Sequence, residues 1–514
     1  MFKPSNRIEA LILFFILIFI QTFQVKFGLR DELDVTFPSV VTTADPEKTV
    51  THDWRYIVEP KTTTKPTEAY EDMSELAVTF GGSGADNVKG SAMRNDGSYL
   101  LCGNSSSNNS DILSPAALTK GSDNKTAVSK WVKPYGFLAC FKSDGSLLWS
   151  NEIGGNGMTV INDCAVLTDG SIVAVGYTMA TNLLNTLAPP DVVISAFICR
   201  FSQSGALQSC RVLAGEGFDY LNAVAPLSGG GYVAVGESES STGDFAFKSA
   251  NPGAVMMAYN SQNEVQWTYA VTGSTGGSFN DVDTDSDGAV YAVLVSNCGD
   301  GEFANLPGFG KGLNDSAVMK FTGTGTRLWC CALAGSGNDN FCAVAADGKG
   351  GCVAAGYYQT LHDNGVMDGT FEGYFNFGGM DGFAFFINAD GAVTGGREFA
   401  GVEDDKVTDV TRIGSSFVFV GTTLSANRIF APIQNLGDYD AFAVVTDLTG
   451  TITDMHSMSG TDFDAAATVS GSETYGVLVA GVTSSTDEYF GQTTPPVRYA
   501  DTAFAARYPL AEAE

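Results

Sequence analysis

The chain is poor in histidine, in basic side chains and in long apolar runs. Three histidines in 514 residues leave little room for imidazole acid/base or zinc chemistry. His52 sits in a Thr/Pro-rich stretch, and His362 and His456 fall in different repeats with no Ser or Cys partner in sequence. Lys and Arg number 28 against 58 Asp and Glu, a net charge of −30. A body that acidic repels phosphate backbones, which excludes nucleic acid as a partner. No H-E-x-x-H, G-x-S-x-G or G-x-x-x-x-G-K-[ST] string occurs, so the common metalloprotease, hydrolase and P-loop signatures are absent. The ten cysteines include no C-x-x-C pair, and their spacing does not decide connectivity. Only Ala10–Ile20 is a long unbroken apolar run, and its 11 residues fall short of the roughly 20 needed for a membrane span.

That run follows Lys3 and Arg7, so residues 1–25 are expected to be a secretory signal peptide or, if uncleaved, a signal-anchor. Any membrane contact is then made by this segment alone, and the expected location is secreted or cell-surface. Residues 26–73 read as a disordered stalk. Between Asp31 and Met73 there are nine Thr, four Pro and no Gly or Cys, a composition that cannot bury enough apolar surface to offset its chain entropy.

What the chain has in abundance is glycine, 60 residues, and it recurs with a long period. Gly82, Gly155, Gly215, Gly273, Gly335, Gly401 and Gly460 open similar strings (GGSGAD, AGEGFD, AGSGND) 58 to 73 residues apart. A second glycine follows each at an offset of 20 or 21 in six of the seven units: Gly103, Gly176, Gly236, Gly356, Gly421 and Gly481. Val295 is read in that place in the fourth unit. A third landmark is F-x-x-x-[FY], as in Phe137/Phe141, Phe197/Phe201 and Phe504/Tyr508, followed by a Gly or Asn turn and, in three units, by Trp149, Trp267 or Trp329. In the second unit these landmarks predict strands at Asn162–Leu167, Ile172–Gly176, Ala196–Phe201 and Leu207–Leu213. The Asp169-Gly170 hairpin joins the first two, because Gly accepts positive φ. Four short antiparallel strands per repeat of about 60 residues make a propeller blade. Residues 74–514 are therefore predicted to be an all-β, seven-bladed β-propeller of four-stranded antiparallel blades.

The last unit runs out of chain after its third strand, near Ala503–Tyr508, while an orphan strand, Glu75–Phe80, precedes the first unit. This N-terminal strand is predicted to close the ring as the outer strand of the last blade, since an open ring leaves two unpaired edges.

The strings Val175-Gly176-Tyr177-Thr178, Gly421-Thr422-Thr423-Leu424-Ser425 and Asp440-Ala441-Phe442, with the D-G hairpin, resemble the bacterial-type β-propeller repeat family. The resemblance covers about Glu75 to Pro509. It implies the fold and a secreted or surface setting, in a family whose members are mostly of unknown activity.

Candidate sites follow from the same alignment. Asp86, Asp219, Asp339, Asp405 and Asp464 stand four residues after the alignment glycine. They are read either as a ring of carboxylates at the channel mouth or, preferred for so repetitive a position, as structural acceptors of loop N–H groups. Asp283, Asp285 and Asp287 alternate before Gly288 in the manner of a Ca²⁺ loop, but the twelfth position, where an EF-hand has Glu, is Leu294, and a plain hairpin turn is the competing reading. No other cofactor is implied. Sequons at Asn104, Asn108, Asn124 and Asn314 are placed in loops. The connections between second and third strands are long and variable. Two carry aromatics beside acids: Trp131 in Asn104–Tyr135, and Phe371, Tyr374, Phe375 and Phe377 with Asp368 and Glu372 in Tyr357–Asp381. The favoured function is a non-catalytic binding propeller recognising a protein or carbohydrate through these loops on one face. The alternative is a secreted polysaccharide hydrolase or lyase using carboxylates at the propeller mouth.

Overall fold

The computed structural model describes residues 76–510, except segments 108–117, 121–126, 130–132, 186–193, 249–251, 311–312, 360–368 and 494–500 and residues 214, 275 and 434. The N-terminal segment and the stalk lie outside the described residues. No helix among those described is long and apolar enough to cross a membrane.

Seven four-stranded antiparallel sheets form the body. Blade 1 consists of Asp86–Met93, Tyr99–Ser105, Tyr135–Phe141 and Leu147–Ile153. A short hairpin, Leu118–Lys120 with Ala127–Ser129, lies within its long connection. Blade 2 consists of Thr159–Val166, Ile172–Thr178, Ser195–Phe201 and Leu207–Val212, within a few residues of the predicted bounds. Blades 3 to 6 repeat the pattern from Asp219–Pro226, Gly277–Thr284, Asp339–Ala346 and Asp405–Ile413. Blade 7 takes Asp464–Ser472, Gly476–Thr483 and Thr502–Tyr508, and its outer strand is Leu76–Phe80. That strand pairs antiparallel with the third, Leu76 opposite Arg507 and Phe80 opposite Ala503, so the N-terminal strand closes the ring.

Burial follows position in the blade. The second and third strands of blade 1, Tyr99–Ser105 and Tyr135–Phe141, are buried at every residue, and in the other blades at most one residue of each such strand is half-buried. A neighbouring sheet covers each of their faces, which is why they read as continuous apolar runs rather than alternating ones. Outer strands expose side chains at their starts, including Leu148, Leu207, Val265, Leu328 and Val393. The core is accordingly divided. Seven apolar clusters each join two adjacent sheets, and the one containing Val78, Phe80 and Leu478 with Val88, Tyr99 and Phe137 seals blade 7 to blade 1.

Every inner strand carries a β-bulge against the second strand, between residues such as Ile161 and Asp163. The repeated glycine sits opposite it because the inner-strand carbonyl comes too close for a side chain. A Cβ on Gly176 would lie 2.0 Å from the Val160 oxygen, and one on Gly421 would lie 1.9 Å from the Lys406 oxygen. In the fourth blade the register pairs Leu294, not Val295, with Phe279 before the bulge, correcting the sequence alignment by one residue. Around the rim, Trp267 of blade 3 lies over Gly325 in the blade 4 turn and donates to Gly323 O at 2.9 Å. Trp329 of blade 4 covers Gly391 in the blade 5 turn and donates to Ala389 O at 3.0 Å.

Candidate functional site

The two faces of the disc are built differently. On one, tight turns join first to second and third to fourth strands, as at Gly145 and Gly170, both at positive φ. On the other, the second-to-third and fourth-to-first connections meet. There Asp339 N donates to Asn314 O, Asp405 N to Met380 O and Asp464 N to Tyr439 O, each tying an inner-strand start to the chain just ahead of the previous blade's third strand.

The described parts of the long connections on this loop face are pinned. Most contain a short 3₁₀ turn whose apolar residue plugs into the core: Leu183, Phe245, Phe303, Phe371, Phe430 and Phe490, all fully or almost fully buried. Two residues ahead of the plug the backbone is left-handed, with Gly243, Gly301 and Gly369 in blades 3 to 5 but Arg428 and Glu488 in blades 6 and 7.

This plug corrects one expected contact residue. Phe371 is completely buried and stacks among Phe341, Phe383 and Phe385, so it anchors its loop and presents no face to a ligand. Tyr374 is also turned inward, 4.7 Å from Phe383 in a T-shaped contact. Glu372 is exposed, and Phe375 is 47% exposed. Phe377 is half-buried, with the Arg428 guanidinium 3.2 Å above its ring centroid. Trp131 and Asp368 lie outside the described residues, as do Asn108 and Asn124. Asn104 is 9% exposed within a strand rather than in a loop, and Asn314 donates to the Asn338 side chain at 3.0 Å.

The five repeated aspartates line no channel mouth. Asp86, Asp219, Asp339, Asp405 and Asp464 are all 0% exposed. Asp405 takes the Gly401 N–H at 2.6 Å, the Thr423 hydroxyl at 2.5 Å and the Ser425 hydroxyl at 2.9 Å. Asp464 accepts from Thr483 and Ser485 in the same way, and Asp219 from Ser238 and Ser240. Burial raises the carboxyls of Asp219 and Asp405 to about 6 and that of Asp464 to about 7, against the hydrogen bonds that lower them. Blade 2 substitutes a Thr159–Thr178 hydroxyl pair at 2.8 Å. These groups staple the loop face and are not free to bind a cation.

The Asp283, Asp285 and Asp287 string is a turn and does not gather its carboxylates. Asp283 accepts from Thr284 N and, across the blade boundary, from Ala346 N at 2.9 Å. Asp285 accepts from Ala289 N and the Tyr291 hydroxyl, and Asp287 points to solvent. Among the described residues no group of three or more His, Cys, Asp or Glu side chains is arranged to hold a metal.

The carboxylates that do approach the channel were missed in sequence. Asp163, Asp281 and Asp409 follow the bulge in blades 2, 4 and 6. Each accepts an N–H from the next blade at 2.8 Å, from Val224, Val344 and Val469. Burial, reinforced by mutual repulsion, lifts Asp163 to about 7 and Asp281 well above its ordinary value; burial also lifts Asp409 to about 6. The signal was there as Asn162-Asp163, Asn280-Asp281 and Thr408-Asp409. The residue before each aspartate donates to a carbonyl of the following blade: Leu221, Phe341 and Ala466.

No known protein family matches the chain, and no curated protein matches it in sequence. Among solved structures it is similar to BamB from Moraxella catarrhalis, at 9% identity and a TM-score of 0.36 over 87% of this chain and 98% of that one. It is similar to the Pan2 WD40 domain of Neurospora crassa, at 10% identity and 0.42 over 84% and 90%. A third is the β-propeller domain of the Trilobed protease from Pyrococcus furiosus, at 8% and 0.37 over 79% and 90%.

Proposed function

We propose that the chain is a secreted or cell-surface binding propeller without catalytic activity, which recognises a protein or carbohydrate through the loop face. One observation carries this reading: plugs such as Phe245, Phe303 and Phe430 anchor the described parts of the long connections, which supports a variable surface presented on a rigid ring. The resemblance of the repeats to bacterial-type propeller repeats and the apolar run at Ala10–Ile20 favour the secreted or surface setting. The polysaccharide-cleaving alternative loses the acids first suggested for it, because Asp86, Asp219, Asp339, Asp405 and Asp464 are buried and cannot flank a sugar in water.

The test is a screen of glycans and extracellular proteins against the full chain, followed by loop surgery. Excising all of Tyr357–Asp381 would remove the Phe371 plug, so the replaced stretch is 372–376 with the inward-turned Tyr374 retained, its other residues exchanged for Gly and Ser. Binding to the partner found is expected to weaken while the melting temperature holds. Binding that maps to the Gly145 and Gly170 turns, or turnover of a glycan, overturns the proposal.

A further inference from the structure

The loop face is charged asymmetrically. From blade 3 to blade 7 its connections expose Glu239, Asp300, Glu372, Glu403, Asp438 and Asp462, among other acids. The bases described on those connections are Lys248, which is buried, and Arg428, which lies on Phe377. The turn face is mixed instead. Arg200 pairs with Asp169 at 3.0 Å there, and Lys320 donates to Gly350 O at 2.7 Å. Among the described residues from blade 3 to blade 7, the loop side is thus the more acidic of the two.

Apolar side chains stand exposed within this acidic region over blades 5 to 7. Phe375 is 47% exposed, Val402 49% and Leu436 37%. Contacts join the three segments that carry them. Phe375 and Phe377 are 6.3 Å apart, and Gly378 abuts the Glu403 backbone so closely that a Cβ would lie 2.2 Å from its oxygen. The Tyr439 hydroxyl donates to Asp404 at 3.4 Å, and its ring meets Phe463 at 6.1 Å. An acidic rim around apolar anchors is complementary to a chain that is basic and apolar together.

We propose that this surface docks a cationic polypeptide segment, its Lys or Arg side chains on Glu372, Glu403 and Asp438 and its apolar residues on Phe375, Val402 and Leu436. The inference rests on the loop-face reading above and narrows its partner. Arg428 over Phe377 shows the mode in miniature, a guanidinium laid on an aromatic face beside carboxylates. Two of the three anchors, Val402 and Leu436, are aliphatic and suit a peptide better than a sugar, which stacks on flat rings.

The experiment measures binding of a decapeptide alternating Arg with Leu, and of its Glu–Leu counterpart, to the full chain by calorimetry at several salt concentrations. The Arg–Leu peptide is expected to bind, more weakly as salt rises, and the Glu–Leu peptide not to bind. Glu372→Lys/Glu403→Lys is expected to weaken binding about tenfold, while Asp287→Lys/Asp390→Lys, the same charge change on the turn face, leaves it unchanged. Phe375→Ala/Val402→Ala weakens it without altering the salt dependence. Arg428→Ala, which frees the Phe377 face, tightens it. Equal losses from the two charge reversals reveal diffuse attraction and overturn the proposal, as does indifference to the Phe375 and Val402 changes. If the peptide fails but a neutral oligosaccharide binds and is lost with residues 372–376, this inference falls and the loop-face reading stands. If neither depends on those residues, both fall.

Discussion

A carboxylate buried away from water titrates late, and this molecule repeats that choice many times. Asp163, Asp219, Asp381, Asp405, Asp409, Asp440 and Asp464 all lie near 6 or 7, with burial the first cause in each. Between about pH 4 and pH 7 the folded chain therefore holds more protons than the unfolded one. The sign follows: stability is highest in mild acid and falls as pH rises through that window. Thermal unfolding is expected several degrees higher at pH 5 than at pH 8. Asp409→Asn should flatten the profile, and an unchanged slope in that variant would count against the assignment. Repetition alone marked the five aspartates as structural in the sequence, whereas the Ser and Thr at the end of the second strand (Ser105/Ser107, Ser238/Ser240, Thr423/Ser425, Thr483/Ser485), whose hydroxyls reach four of them, were not read. The channel aspartates were not, because the bulge that turns Asp163 and Asp281 toward the channel leaves no mark beyond a preceding Asn.

At the level of elements, the strands and turns were readable because glycine spacing reports a steric fact, the close carbonyl at each bulge. The loop plugs were not read, since a lone Phe in a polar loop looks like a contact residue until the core is seen beneath it. Phe371→Ala is expected to cost about 3–5 kcal/mol, whereas Phe375→Ala, on the exposed side of the same loop, should leave denaturant unfolding within about 0.5 kcal/mol of the parent. The left-handed position ahead of the plug offers a stabilising change. Glu488 has φ 47 where blades 3 to 5 have glycine, and Glu488→Gly is expected to raise stability by roughly 1 kcal/mol. A lower melting temperature would show that Glu488 makes a compensating contact. The cysteines illustrate the limit of spacing: Cys199 and Cys210 form a disulfide across the third and outer strands of blade 2, a pairing that only strand register selects.

For the molecule as a whole, ring closure was legible as arithmetic, a unit lacking its fourth strand and an orphan strand at the other end. Deleting residues 74–81 removes Val78 and Phe80 from the seam cluster and bares the edge of Thr502–Tyr508. It should lower the melting temperature sharply and promote self-association, and a deletion that melts like the parent would falsify the closure. The seam has a mechanical consequence as well. Leu76 lies opposite Arg507, so the chain comes into the ring and leaves it side by side. Tension between those two ends unzips the Leu76–Phe80 pairing one rung at a time instead of shearing all its rungs together. Under load the propeller has one designated place to open, and refastening needs only a five-residue strand to find its groove again.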